Sequence, residues 1–144
     1  MSGLWRLTVR EEFAAAHALR HYQGTCENPH GHTFGVELCV EGTRLSPDTE
    51  ILLDFGTLKG ALRATLAELD HRMLNETPPF DVRNPSSENL ARHIFRDVAA
   101  RLAQSTDPQV AHARLVSVSV SERASQTATY MEDQGVGGAP GLPS

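Results

Sequence analysis

Two long period-two alternations, each ending in histidine, constrain this chain more than any other feature. From Trp5 the odd positions Trp5, Leu7, Val9, Phe13 and Ala15 are apolar, while Arg6, Thr8, Arg10 and Glu12 between them are polar. Side chains alternate faces along an extended strand, so this spacing predicts a half-buried strand whose inner face ends on His17. A second alternation sets Phe34, Val36, Leu38 and Val40 against Thr33, Gly35, Glu37 and Glu41. Carried backwards at the same period, its apolar face takes in His32 and His30. Two neighbouring strands can therefore bring three imidazoles to one end of one sheet face.

Between the strands runs a connection of about a dozen residues, Ala18 to Pro29, which contains Cys26. Connections of that length often carry function. The next segment opens on Asp54, a good helix N-cap, and continues through Leu58, Leu62, Leu66 and Leu69 at helical spacing. This helix runs out at Asp70-His71, Pro78-Pro79 forbids helix beyond it, and Ser86 caps a second apolar stripe through Leu90, Ile94 and Val98. After Asp107-Pro108 the period returns to two, with Val116, Val118 and Val120 against Ser117, Ser119 and Ser121, and Glu122 falls on the valine face. Residues Thr127 to Met131 can pair back as a fourth strand. The Gly/Pro-rich segment 133–144 reads as a disordered tail, which leaves 1–132 as one domain. The order is ββααββ, an α+β arrangement expected to form an antiparallel four-stranded sheet with two helices on one face.

A chain of 144 residues is one domain's worth and can bury a core without disulfides. Its two cysteines, Cys26 and Cys39, suggest no disulfide framework, and reduced thiols in a cytoplasm are the expectation. Residues Met1 to Arg6 lack the charged start and apolar run of a signal peptide, and no segment approaches a membrane span. With 18 acidic against 13 basic residues and a formal charge of -5, the footprint of a nucleic-acid binder is missing.

The chemistry turns on the histidines. Three neutral imidazoles leave one position of a tetrahedral zinc open, the arrangement of a catalytic rather than a structural site. Cys26 either closes that position as a fourth ligand or stands beside the metal as a thiolate able to move protons. Cys39, in mid-strand between Glu37 and Glu41, is read as a small structural residue. Asp70-His71 is either an ordinary surface turn or a histidine oriented by a carboxylate for general acid and base work. Glu122 continues an apolar face, where a carboxylate needs a compensating donor. A ligand edge with adjacent N–H groups, such as a pterin or guanine, would supply one.

These residues carry a family resemblance. Phe13-Ala14-Ala15-Ala16-His17, Cys26 through His30-Gly31-His32, Leu53-Asp54-Phe55, Leu69-Asp70-His71 with Leu74-Asn75, Pro85-Ser86-Ser87-Glu88-Asn89, and Ser121-Glu122 through Tyr130 resemble the 6-pyruvoyltetrahydropterin synthase superfamily. Within it the chain looks most like the bacterial 6-carboxytetrahydropterin synthases of queuosine biosynthesis. Three residues separate Cys26 from His30, as in the carboxy-forming enzymes, whereas the pyruvoyl-forming enzymes typically have a longer gap. Ser86 stands where a threonine is common.

The resemblance implies a tunnelling fold whose subunits join edge to edge into a barrel, as a homohexamer of two trimers with sites at subunit interfaces. It implies Zn2+ on His17, His30 and His32, a catalytic thiol at Cys26, a proton-transfer pair at Asp70 and His71, and a pterin anchor at Glu122. The implied reaction takes 7,8-dihydroneopterin triphosphate and water to 6-carboxy-5,6,7,8-tetrahydropterin, acetaldehyde and triphosphate, with the pyruvoyl-forming lyase as the alternative. A non-catalytic zinc-binding module is the remaining reading.

Overall fold

The computed structural model describes residues 3–24 and 27–132; the expected thiol, Cys26, and the tail 133–144 lie outside the described residues. The chain runs through β1 (Trp5–His17), β2 (His30–Gly42), α1 (Phe55–Ala67), β3 (Arg72–Met73), α2 (Ser87–Ala103), β4 (Arg114–Arg123) and β5 (Gln126–Tyr130). The sheet order is β3-β1-β2-β4-β5. β1 and β2 form its spine, paired antiparallel in unbroken register from Trp5 opposite Gly42 to His17 opposite His30. Phe13 and Phe34 meet across that pair with stacked rings, centroids 4.9 Å apart.

Both helices begin where the sequence predicts. The Asp54 carboxylate accepts from the Gly56 N–H at 2.7 Å, and the Ser86 hydroxyl accepts from the Asn89 N–H at 3.2 Å, each satisfying a donor the first helical turn leaves free. Leu58, Leu62 and Leu66 of α1 and Leu90, Ile94 and Val98 of α2 are buried in the same core as Val9, Phe13, Phe34, Leu38 and Val118. The helices thus cover one sheet face. The opposite face carries small polar and charged residues, including hydroxyl pairs Ser119–Thr129 and Ser121–Thr127, each at 2.7 Å.

Two expectations need correction. The sheet has five strands and is mixed, not four and antiparallel, because β3 runs parallel to β1 with Ala15 opposite Arg72 and Ala16 opposite Met73. The chain leaving α1 passes the outer edge of β1, whose main-chain groups need partners, and two residues are too few to leave a periodic signal. In β4 the expected valine face holds at Val118 and Val120 but fails at Val116. The register with β2 shifts between Cys39 and Val40, so that Cys39 faces Ser117 and Val40 faces Leu115. The extra residue of this bulge is Val116, which is half-buried while Leu115 takes the core position. Beyond the bulge the pairing with β2 is regular to Ser121; a second shift, in the pairing of β4 with β5, falls between Ser121 and Arg123 and leaves Glu122 as its extra residue. Among the described residues, no helix is long and apolar enough to cross a membrane.

Ile94 lies fully buried on the inner side of α2. Replacing it with alanine is expected to lower unfolding free energy by about 2–5 kcal/mol in a denaturant titration. A loss below about 1 kcal/mol would show that α2 does not pack where it is placed.

Candidate metal centre

The register of β1 and β2 assembles the histidines. His17 lies directly opposite His30, and Ala15, two residues earlier on the same face, lies opposite His32. The three rings pack edge to face, with centroids 4.6 Å (His17–His30), 5.2 Å (His17–His32) and 4.8 Å (His30–His32) apart. One nitrogen from each lies within 4.8 Å of the others, so the three could hold a metal ion.

Hydrogen bonds choose the tautomers. His17 Nδ1 lies 2.7 Å from the Pro85 carbonyl and His30 Nδ1 2.7 Å from the Asn28 carbonyl. A carbonyl oxygen only accepts, so each Nδ1 carries the hydrogen and each Nε2 keeps a free lone pair, the form a ligating imidazole takes. His17 Nε2 and His32 Nε2 are buried and have no hydrogen-bond partner among the described residues. Orphaned buried nitrogens are costly, and a metal ion is the group that would satisfy both at once. Phe34 stands edge-on to His17 and His32, with centroids 5.3 Å and 5.5 Å away, and forms an apolar floor. Burial pushes His17 and His32 below the ordinary 6.5 of an imidazole, which favours the neutral, ligating form.

Glu122 borders this cluster. Its Oε1 lies 3.5 Å from His17 Nε2 and its Oε2 3.6 Å from His32 Nε2, and the Ser87 hydroxyl donates to Oε1 at 3.4 Å. The same carboxylate lines a cavity of about 250 Å³ with Ser86, Ser87 and Glu88 at the start of α2 and with Gln126 and Thr127. In the sequence Glu88 stands out only as a member of the Pro85–Asn89 run. A first-turn acid is ordinary there, and only the packing of α2 against the end of β4 brings it to the cavity.

Asp70 and His71 form a fixed pair. Asp70 Oδ1 accepts from the Ala14 N–H at 2.8 Å, and its Oδ2 lies 2.8 Å from His71 Nδ1. The Ala14 hydrogen bond, then the His71 contact, holds the Asp70 carboxyl below its usual range. His71 adopts φ 58°, a left-handed conformation unusual for a residue with a side chain, and its ring is 81% exposed. It lines a shallow groove of about 600 Å³ with Ala14, Ala16, Gly31 and Thr33, which alternate away from the triad's side of the sheet, and with Ala15 and His32 of the triad's side. At Gly31, which lines the same groove, an added Cβ would meet only the Ala15 carbonyl, at 3.9 Å.

Three imidazoles placed so that they could hold a metal ion converge at the end of a helix-backed sheet, beside a carboxylate-lined cavity, in an α+β protein whose Asp70 and His71 pair at the sheet edge. The model of the 6-pyruvoyl tetrahydropterin synthase family matches residues 6–133, and the chain belongs to that family. A 6-carboxy-5,6,7,8-tetrahydropterin synthase of Synechocystis is 33% identical over 131 residues, covering 88% of this chain and 93% of that one. A dihydroneopterin monophosphate aldolase of Pyrococcus furiosus is 36% identical over 97 residues, covering 67% of this chain and 77% of the relative. Among solved structures, the 6-pyruvoyl tetrahydropterin synthase of Caenorhabditis elegans superposes with a TM-score of 0.77 at 23% identity, covering 92% of this chain and 98% of that one, a likeness of fold.

The depressed His17 and His32 fix the sign of a pH effect. Their folded forms resist protonation, whereas the unfolded chain takes up protons below about 6.5. The stability they contribute is full above that value and is lost as pH falls toward the lowered folded values. The metal-free protein is expected to melt progressively lower from pH 7 to pH 5.5, and His17→Gln to flatten that slope. A melting temperature independent of pH across this range would contradict the burial of His17.

Proposed function

We propose that this protein is a zinc-dependent 6-carboxy-5,6,7,8-tetrahydropterin synthase that converts 7,8-dihydroneopterin triphosphate and water to 6-carboxytetrahydropterin, acetaldehyde and triphosphate, in the cytoplasmic route to queuosine. The observation that carries this reading is the pair of orphaned, buried Nε2 atoms on His17 and His32, converging with His30 beside a carboxylate-lined cavity. The spacing of Cys26 and His30 and the Synechocystis relative favour the carboxy product.

His17, His30 and His32 would hold Zn2+, which when bound supplies Lewis-acid polarisation of substrate oxygens. The remaining roles belong to the chain. Asp70 takes the His71 Nδ1 hydrogen, which leaves His71 Nε2 free to accept and return a proton. Cys26 is the second proton-transfer group. Glu122 is the substrate-binding carboxylate and would anchor the N–H edge of the pterin ring, and Glu88 lines the same cavity as a second carboxylate. Because the His71 ring is largely exposed, in a shallow groove that reaches only His32 of the triad, the acid–base pair is proposed to serve a neighbouring subunit's metal, within a hexamer built from two trimers.

Product identification after incubation with dihydroneopterin triphosphate is the test. Acetaldehyde with triphosphate is expected; full turnover without acetaldehyde would assign the pyruvoyl-forming reaction instead, and turnover of the monophosphate alone would align the chain with its aldolase relative. Cys26→Ala is expected to keep bound zinc and lose turnover by about 100-fold or more, as for a lost proton-transfer group. Loss of zinc from that variant would mark Cys26 as a fourth ligand and the chain as a closed zinc module.

A further inference from the structure

The chain beyond His17 is locked to the α1–α2 connection in a way that metal ligation alone does not require. Two asparagine side chains act as surrogate strand partners. Asn75 accepts from the Ala18 N–H and donates to the Ala18 carbonyl, both at 2.8 Å. Asn84 does the same for Arg20, at 2.9 Å and 3.2 Å. Between them the Arg20 guanidinium donates to three main-chain carbonyls, those of Arg83 at 2.9 Å, Phe80 at 2.7 Å and Asn75 at 3.3 Å. Asn89, in the first turn of α2, donates to the Asn84 carbonyl at 2.8 Å and ties the assembly to the helix. The residue after Asn84 is Pro85, whose carbonyl takes the Nδ1 hydrogen of His17.

His17 and the carbonyl that fixes its tautomer therefore stand at adjoining ends of one clamp, with Arg20 at the centre. We propose that Arg20 is a positioning residue of the metal centre: by gathering the carbonyls of residues 75–83 it places the Pro85 oxygen against His17 Nδ1 and keeps the Nε2 lone pair directed at the metal. A guanidinium suits this task, since its planar array of donors can serve several fixed acceptors at once, which an ammonium on a flexible stem does less well. Without it the 75–85 segment loses three anchors, the Pro85 oxygen drifts, and the neutral imidazole is free to place its hydrogen on Nε2, where it blocks ligation. Outer contacts of this kind on a ligating histidine are typically worth 10- to 100-fold in metal affinity.

This inference rests on the reading of the triad as a metal site, and its test separates the two. Zinc affinity is measured by chelator competition for the full chain, for Arg20→Met, for Arg20→Lys and for Arg101→Met. The last is a control for general destabilisation, because Arg101 binds Thr65, Asp97 and Glu68 between the helices. In parallel, long-range 1H–15N spectra of the metal-free proteins report which His17 nitrogen carries the hydrogen. Arg20→Met is expected to weaken zinc binding 10- to 100-fold and to mix the His17 tautomers, with Arg20→Lys intermediate and Arg101→Met unchanged in both readouts. If Arg20→Met does not fold, the same comparison is made on Arg20→Lys. Unaltered affinity with an unaltered His17 tautomer in the folded Arg20 variant overturns the proposal, as does an equal loss of affinity in Arg101→Met. Failure of the unsubstituted chain to bind zinc would instead overturn the metal reading itself.

Discussion

Everything at the functional end of this protein depends on the register between β1 and β2. Thirteen pairs run without a break from Trp5 opposite Gly42 to His17 opposite His30, and the stacked rings of Phe13 and Phe34 sit within them. A slip of one residue would turn His30 and His32 to the polar face and move Phe34 out of the core, so burial of the apolar face and assembly of the triad are one event. The energy that fixes the register is hydrophobic and lies mostly in the middle of the strands. The imidazoles at the strand ends inherit their positions from it, which explains how two buried nitrogens can be kept without partners of their own.

The sheet then sets out two groups of polar side chains. The helix-backed face carries the three histidines, Glu122 and the cavity at the start of α2; His71 stands at the sheet edge, held by Asp70 beside β1 and largely exposed. The short β3 matters here beyond its two residues, since its pairing with β1 is what holds His71 at the sheet edge in its left-handed conformation.

Much of this was legible in the sequence because it rests on periodicity and local chemistry. The alternation from Leu7 to His17 and from His30 to Val40 and the caps at Asp54 and Ser86 are where the spacing puts them, whereas Trp5, at the start of the first alternation, is exposed. What escaped depends on contacts between distant segments. β3 is too short for a period, and the bulge at Val116 inverts the phase of one residue without altering the pattern around it. The place of His71 at the sheet edge depends on how the chain leaves α1. Nothing local marks Pro85 as the acceptor for His17 across 68 residues, nor Asn75, Asn84 and Arg20 as a clamp. Glu88 reads as a helix-favouring acid until α2 is packed.

On the proposed function, three histidines and no cysteine ligate a zinc ion whose remaining coordination is left to substrate or solvent. X-ray absorption at the zinc edge of the loaded protein distinguishes the ligand sets. Three imidazole nitrogens at about 2.0–2.1 Å, with the first shell completed by oxygen, are expected. A sulfur scatterer at about 2.3 Å would contradict that ligand set, because the site would then be closed by a thiolate and have no position for a reacting molecule.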